Sequence, residues 1–149
     1  MSIAETVAPG PTGLEQIRSL MSGGLRAPIG DLLNFHLIEA EEGRVVFEGT
    51  PSEKVYNPIG TVHGGYAATL LDSACGIAVH TRLGPTQGYT TLELKVAYHK
   101  AMTSQTGPVR AEGKVLTFGR RAAFAEAKIT DASGRLYATA TSTLLVFDK

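Results

Sequence analysis

Asp72 is the only acidic residue between Glu53 and Glu93, and it stands inside a run from His63 to about Arg82 that carries few polar side chains. A carboxylate in apolar surroundings is costly to keep charged without help. Three readings are open from the chemistry alone. The side chain leaves through one polar gap on a helix, it caps a neighbouring strand, or it is a carboxylate held for acid–base or nucleophilic work. His63-Gly64-Gly65 stands just before the run. Glycine permits close backbone approach, and the free N–H groups of a helix start suit negative charge developing on an oxygen. The plainer reading makes His63 a helix cap and the glycines a tight turn.

The spacing of the two features carries more than either alone. Asp72 lies eight residues after Gly64, which on a helix puts them about 12 Å apart along the axis. One chain does not bring both to a single carbonyl. Two antiparallel copies of the helix do, which predicts a site shared across a twofold interface, two per dimer.

The remaining candidates are less specific. Asn57 precedes Pro58 and is read as a turn former. His36, His63, His80 and His99 form no recognisable metal spacing, so no metal site is expected. Cys75 falls among apolar residues and reads as a buried thiol rather than a nucleophile. No G-x-S-x-G, P-loop or dinucleotide glycine motif is present. Gly119-Arg120-Arg121 falls at a hairpin between two strands: either a solvated tip or a fork of donors for a phosphate.

These residues need elements to hold them. Leu14 to Met21 has helical spacing and ends at Gly23-Gly24. Leu32–Glu39 and Arg44–Thr50 read as strands around Glu41-Glu42-Gly43. The run after His63 is apolar over most of its circumference, as in a helix surrounded by protein, and Leu83-Gly84-Pro85 stops it. Four alternating strands follow. In the first, Leu92, Leu94, Val96 and Tyr98 share one face, and Glu93, Lys95 and His99 the other. Ala111, Gly113, Ala123, Ala125, Ala127, Ala138 and Ala140 give the sheet a small-residue face that lets it curl closely around the helix. The expectation is an α+β domain over residues 31–149, an antiparallel sheet wrapped around one long helix, preceded by an arm with a short helix over 1–30.

Composition narrows the function. The 149 residues are 43% hydrophobic and 19% charged, enough for one domain with a core. Fourteen basic and fourteen acidic residues cancel, which argues against a nucleic-acid partner. Aromatics at 7% with no Trp disfavour a base-stacking platform. A single Cys excludes an internal disulfide framework. The first residues have no basic region followed by an apolar stretch, and Val62–Val79 contains His63, Gly64, Gly65, Asp72, Ser73 and Gly76, too polar for a lipid-facing span. A cytoplasmic protein with no membrane partner is expected.

The stretch from Asn57 through His63-Gly64-Gly65 to Asp72 closely resembles the signature of hotdog-fold acyl-CoA thioesterases of the phenylacetate-degradation (PaaI-like) type: Asn, six residues on His-Gly-Gly, and an acid nine residues after the His. The resemblance covers about residues 30 to 147 and implies the hotdog fold. By position it implies Asp72 as catalytic acid, nucleophile or general base on water. It implies the Gly64 N–H as the group polarising the thioester carbonyl. Asn57 and His63 match a hydrogen-bonded pair that orders the loop and orients the leaving sulfur or the water. Thr91 matches a Ser/Thr position that places water, although strand alternation sets it opposite Leu92 and leaves Thr90 as a rival. A neighbouring branch has Glu at the acid position, so Asp72 favours the phenylacetate type. Gly65, Tyr66, Arg120 and Arg121 are expected to contact substrate, and the stretch Tyr66–Cys75 with the loop around Tyr89 to line the acyl pocket. The resemblance further implies acyl-CoA as substrate, no metal or other cofactor, and a homotetramer of two dimers. A hotdog hydratase or dehydratase, and a non-catalytic acyl-CoA-binding module, are the alternatives.

Overall fold

A computed structural model describes residues 12–149. Helices α1 (Gly13–Ser22) and α2 (Pro28–Leu33) come first, then strands β1 (Phe35–Glu41) and β2 (Arg44–Gly49). A short 3-10 turn at Glu53–Val55 leads to the long helix α3 (Gly64–His80). Strands β3 (Gln87–Tyr98), β4 (Val109–Phe118), β5 (Ala122–Asp131) and β6 (Leu136–Asp148) complete the chain. All six strands form one sheet in the order β1-β2-β4-β5-β6-β3, with every neighbouring pair antiparallel. This is the expected α+β hotdog arrangement, with α3 lying in the curl of the sheet.

The reason is steric as much as hydrophobic. Leu70, Leu71, Ala74, Cys75, Ala78 and Val79 of α3 are completely buried and cover one half of the helix circumference. The sheet meets them with Ala111, Ala123, Ala125 and Ala127, all 5% exposed or less. At Gly113 a Cβ would lie 2.2 Å from the Ala74 carbonyl oxygen, so any side chain there forces helix and sheet apart. The tight wrap therefore needs glycine at that one place.

Two corrections arise near the start of the chain. Leu32 and Leu33, expected to open β1, belong to α2 instead. Pro28 stands in its first turn, where proline is tolerated, and Asn34 ends it in the left-handed region at φ 59°. Helix α1 matches its expected place to within a residue at each end and docks through Ile17, which is 1% exposed. Residues 1–11 of the expected arm lie outside the described residues.

A third correction matters for the site. Strand β3 does not alternate evenly. Thr91 pairs with Leu144 and Glu93 with Thr143, so Leu92 is an extra residue, a β-bulge. Leu92 leaves the face it was expected to share with Leu94, Val96 and Tyr98, and is 59% exposed. Tyr89 and Thr91 join that face, opposite Val146 and Leu144 of β6, both buried.

Tyr66 is corrected as well. Expected to touch substrate, it is 2% exposed in the core, and its Oη lies 2.6 Å from where a Cβ on Gly49 would be. Among the described residues this hydroxyl has no hydrogen-bond partner, and burial pushes it up to about 12. Removing an unpaired buried hydroxyl leaves no partner orphaned. Tyr66→Phe is therefore expected to match the parent in denaturant unfolding or exceed it by up to about 1 kcal/mol. A clear loss of stability would show that the hydroxyl holds a buried water.

Candidate active site

Helix α3 and strand β3 run antiparallel beside each other and touch at three levels. Near the helix start, the Tyr98 hydroxyl donates to the Gly64 carbonyl at 2.6 Å. Midway, the Thr91 hydroxyl donates to Asp72 Oδ1 at 3.0 Å. Further on, the Tyr89 ring lies against Gly76 and edge-on to His80, with ring centroids 5.6 Å apart.

The Leu92 bulge decides the middle level. With it, Thr91 and not Thr90 faces the helix: Thr91 is half-buried against Asp72, and Thr90 is exposed. Asp72 is half-buried too and takes part in no ion pair among the described residues. One of its oxygens accepts from Thr91, which leaves the other for a water or a substrate atom. Its charge reaches its neighbours. The Tyr89 hydroxyl is pushed up to about 12 by burial and then by Asp72. The Cys75 thiol is also raised to about 12, by burial first, then by Asp72 and Glu126, so it stays protonated at neutral pH and is no nucleophile.

The helix start is built to leave one donor free. His63 is the cap: its Nδ1 accepts from the Gly65 N–H at 2.7 Å. The His63 carbonyl accepts from the Tyr66 N–H at 3.0 Å. The Gly64 N–H has no acceptor among the described residues. Side chains close in on both glycines. A Cβ on Gly64 would lie 3.0 Å from Tyr98 Oη, and one on Gly65 would lie 2.9 Å from His63 Nδ1.

Asn57 holds the loop that leads to this cap. Its Oδ1 accepts from the Ile59 and Thr61 N–H groups at 3.1 Å each, and its Nδ2 donates to Thr61 Oγ1 at 2.8 Å. The His63 N–H donates to the Val55 carbonyl at 2.8 Å. The expected bond between Asn57 and His63 is not formed. Each side chain serves its own turn, because the Asx turn at 57–61 and the helix cap satisfy them locally.

Arg120 and Arg121 occupy the exposed tip of the β4–β5 hairpin and pair with no carboxylate among the described residues. The strand register places this tip. Phe118 pairs with Ala123, Ala123 with Leu144, and Leu144 with Thr91. The Arg pair thus lies just beyond the row containing Thr91, two strands away, or about 10 Å.

Asp72 and Gly64 remain apart within one chain, as the helix rise requires. Beside them runs β3, an edge strand of the sheet, with Leu92 59% and Tyr98 56% exposed. Two contributors escaped the reading of the sequence. Tyr98 was assigned to a strand face without a role; the signal available was that a tyrosine at a strand end needs a partner for its hydroxyl. The Leu92 bulge had no signal, because an evenly alternating pattern conceals it. Among the described residues, no three His, Cys, Asp or Glu side chains cluster as metal ligands would. No described helix is long and apolar enough to cross a membrane.

Comparison with known proteins places this geometry in context. The family model described as thioesterase superfamily matches residues 59–138, which includes Gly64, Asp72 and Thr91. A 1,4-dihydroxy-2-naphthoyl-CoA hydrolase of Listeria monocytogenes is 30% identical over 126 residues, covering 85% of this chain and 98% of that one. A thioesterase family protein from Silicibacter pomeroyi shares the fold at a TM-score of 0.79 and 24% identity, covering 89% of this chain and 98% of that one. A Streptococcus mutans protein solved bound to acetyl CoA has a TM-score of 0.70 and 26% identity, covering 78% of this chain and 90% of that one.

Proposed function

The chain belongs to the thioesterase superfamily, and on that footing we propose that it is an acyl-CoA thioesterase of the phenylacetate-degradation type, converting acyl-CoA and water to a free acid and CoA. The observation that carries this reading is the Asp72 carboxylate, paired with no cation among the described residues and held at 3.0 Å by Thr91 beside an edge strand. Mere binding of an acyl-CoA does not need such a group. The Listeria relative named as a CoA hydrolase and the neighbour bound to acetyl CoA support the substrate class.

In the proposed mechanism Thr91 fixes one carboxylate oxygen and the other acts. As general base it takes a proton from water, whose oxygen attacks the thioester carbonyl. The carbonyl oxygen becomes an oxyanion, which accepts a hydrogen bond from the Gly64 N–H of the partner subunit. Collapse breaks the C–S bond, and the proton held by Asp72 goes to the departing thiolate. As nucleophile, Asp72 instead attacks the carbonyl itself and displaces CoA as its thiolate, leaving a mixed anhydride. Water then hydrolyses the anhydride to the free acid, restoring the carboxylate and releasing the proton that the thiolate takes up. Either route needs only a carboxylate, an amide and water, so no metal or organic cofactor enters it. His63 caps the helix so that the Gly64 N–H stays free, and Asn57 positions the loop that presents His63. Gly65 leaves room for the His63 ring that caps the helix start, and substrate contact there is with its exposed backbone.

The shared site calls for a dimer joined along β3, which sets the two α3 helices antiparallel. We take two such dimers to form a tetramer, in the cytoplasm, with residues 31–149 as the catalytic domain and 1–30 as its arm. The test is release of free CoA thiol from a panel of short, medium, long and aromatic acyl-CoAs. Release from none of them would leave a binding module.

Arg120 and Arg121 complete the reading as phosphate contacts for the CoA nucleotide, since guanidinium forks suit its diphosphate and 3′-phosphate. Replacing both with Ala is expected to raise KM for acyl-CoA several-fold with little change in kcat, as when uniform binding is lost. A truncated thioester without the nucleotide should not respond. An equal response from both substrates would make the pair structural.

A further inference from the structure

The seam between α3 and β3 is unequal at its two ends. On α3, Asp72, Gly76 and His80 recur every four residues and share one face. Tyr89 and Thr91 oppose them from β3. Toward the helix start the seam is open: Leu94 and Val96 are only partly buried, and Tyr98 is 56% exposed. Toward the helix end it is closed. The Tyr89 ring covers Gly76 so closely that a Cβ there would lie 3.1 Å from Cε2 and 3.2 Å from Oη. Behind the ring stands His80, whose Nε2 is bonded to Gln16 Oε1 of α1 at 2.9 Å. The closed end is thus backed by a second helix.

We propose that Tyr89 is the far wall of the acyl pocket that begins at Asp72, and that it limits the substrate to compact acyl groups. This rests on the thioesterase reading above. Gly76 is one helical turn beyond Asp72, so the depth from carboxylate to ring is about 6 Å along the axis. Glycine at position 76 lets the hydroxyl end of the ring come close against the helix, which sets that depth at its largest for a tyrosine at position 89. His80, held neutral because burial and then Lys149 lower it to about 4, backs the ring without bringing a charge into the pocket.

The experiment is kcat/KM over a series of linear acyl-CoAs of increasing length for the parent, Tyr89→Ala and Tyr89→Phe, each with a thermal melt. The parent should lose roughly 10-fold or more per methylene once the chain meets the wall. Tyr89→Ala should move that cut-off to longer chains, gaining about 10-fold or more on the first acyl-CoA the parent rejects. Tyr89→Phe should keep the parent cut-off, since the ring and not the hydroxyl forms the wall. Should Tyr89→Ala fail to fold, Gly76→Ala gives the opposite reading: its Cβ pushes the ring toward Asp72, and the cut-off should shorten. The added methyl group also favours the helix, so that variant should fold. An active parent whose length profile is unchanged in Tyr89→Ala, or in Gly76→Ala where that variant is used, overturns this inference and leaves the thioesterase reading standing. A parent that cleaves no acyl-CoA overturns both.

Discussion

Asp72→Asn is expected to lower kcat by roughly 10²–10⁴-fold, the range for loss of a positioned acid–base group, while the thermal melt stays within a few degrees of the parent. The side chain keeps its size, and its amide oxygen still accepts from Thr91 Oγ1, so the 3.0 Å bond survives. No ion pair is broken, because Asp72 has none among the described residues. What disappears is the basic, nucleophilic oxygen. Thr91→Val should have a smaller effect on kcat, since it releases the carboxylate without removing it. The measurement is kcat on the best acyl-CoA of the panel. Near-parent turnover by Asp72→Asn would end the claim that this carboxylate does the chemistry.

Gly64→Pro is expected to cost about 10²–10³-fold in kcat, the usual effect of deleting one oxyanion donor. The substitution fits the backbone. Gly64 is the first helical residue, where proline is tolerated, and His63 at φ −59°, ψ 137° has the extended conformation that precedes a proline. The lost N–H has no acceptor among the described residues. The Tyr98 hydroxyl must yield by a few tenths of an ångström, since a Cβ at position 64 lies 3.0 Å from it. The decisive measurement combines the two lesions. When Gly64→Pro and Asp72→Asn chains are co-expressed, each mixed dimer contains one site with both defects and one with neither. Random pairing in equal amounts should therefore restore roughly a quarter of parental turnover. No recovery from a purified mixed dimer would mean that each chain uses its own Gly64, and the shared site would be lost.

These two experiments rest on different kinds of information. The isolation of Asp72 and its eight-residue distance from Gly64 are visible in the chain itself. So are the buried helix, the small-residue face of the sheet and the turn at Gly43. Each follows from a local rule: helix rise, strand alternation, or the φ a turn demands. The family signature added roles to those positions without changing their geometry.

Other features depended on how distant segments meet. Thr91 faces Asp72 only because Leu92 bulges out of register with β6, and sequence alternation alone points Thr91 the other way. Tyr66 sits on the same helix as Asp72, yet its ring enters the core beneath β2. Asn57 and His63, six residues apart in the signature, each close a turn of their own. Tyr98 acquires its role from Gly64, 34 residues earlier. Period and spacing are written along one segment, and so the sequence determined most of the elements, the carboxylate and its separation from Gly64. Which side chains share a hydrogen bond is set by register between segments that meet only when the sheet closes around its helix, and that was decided by the tertiary structure alone.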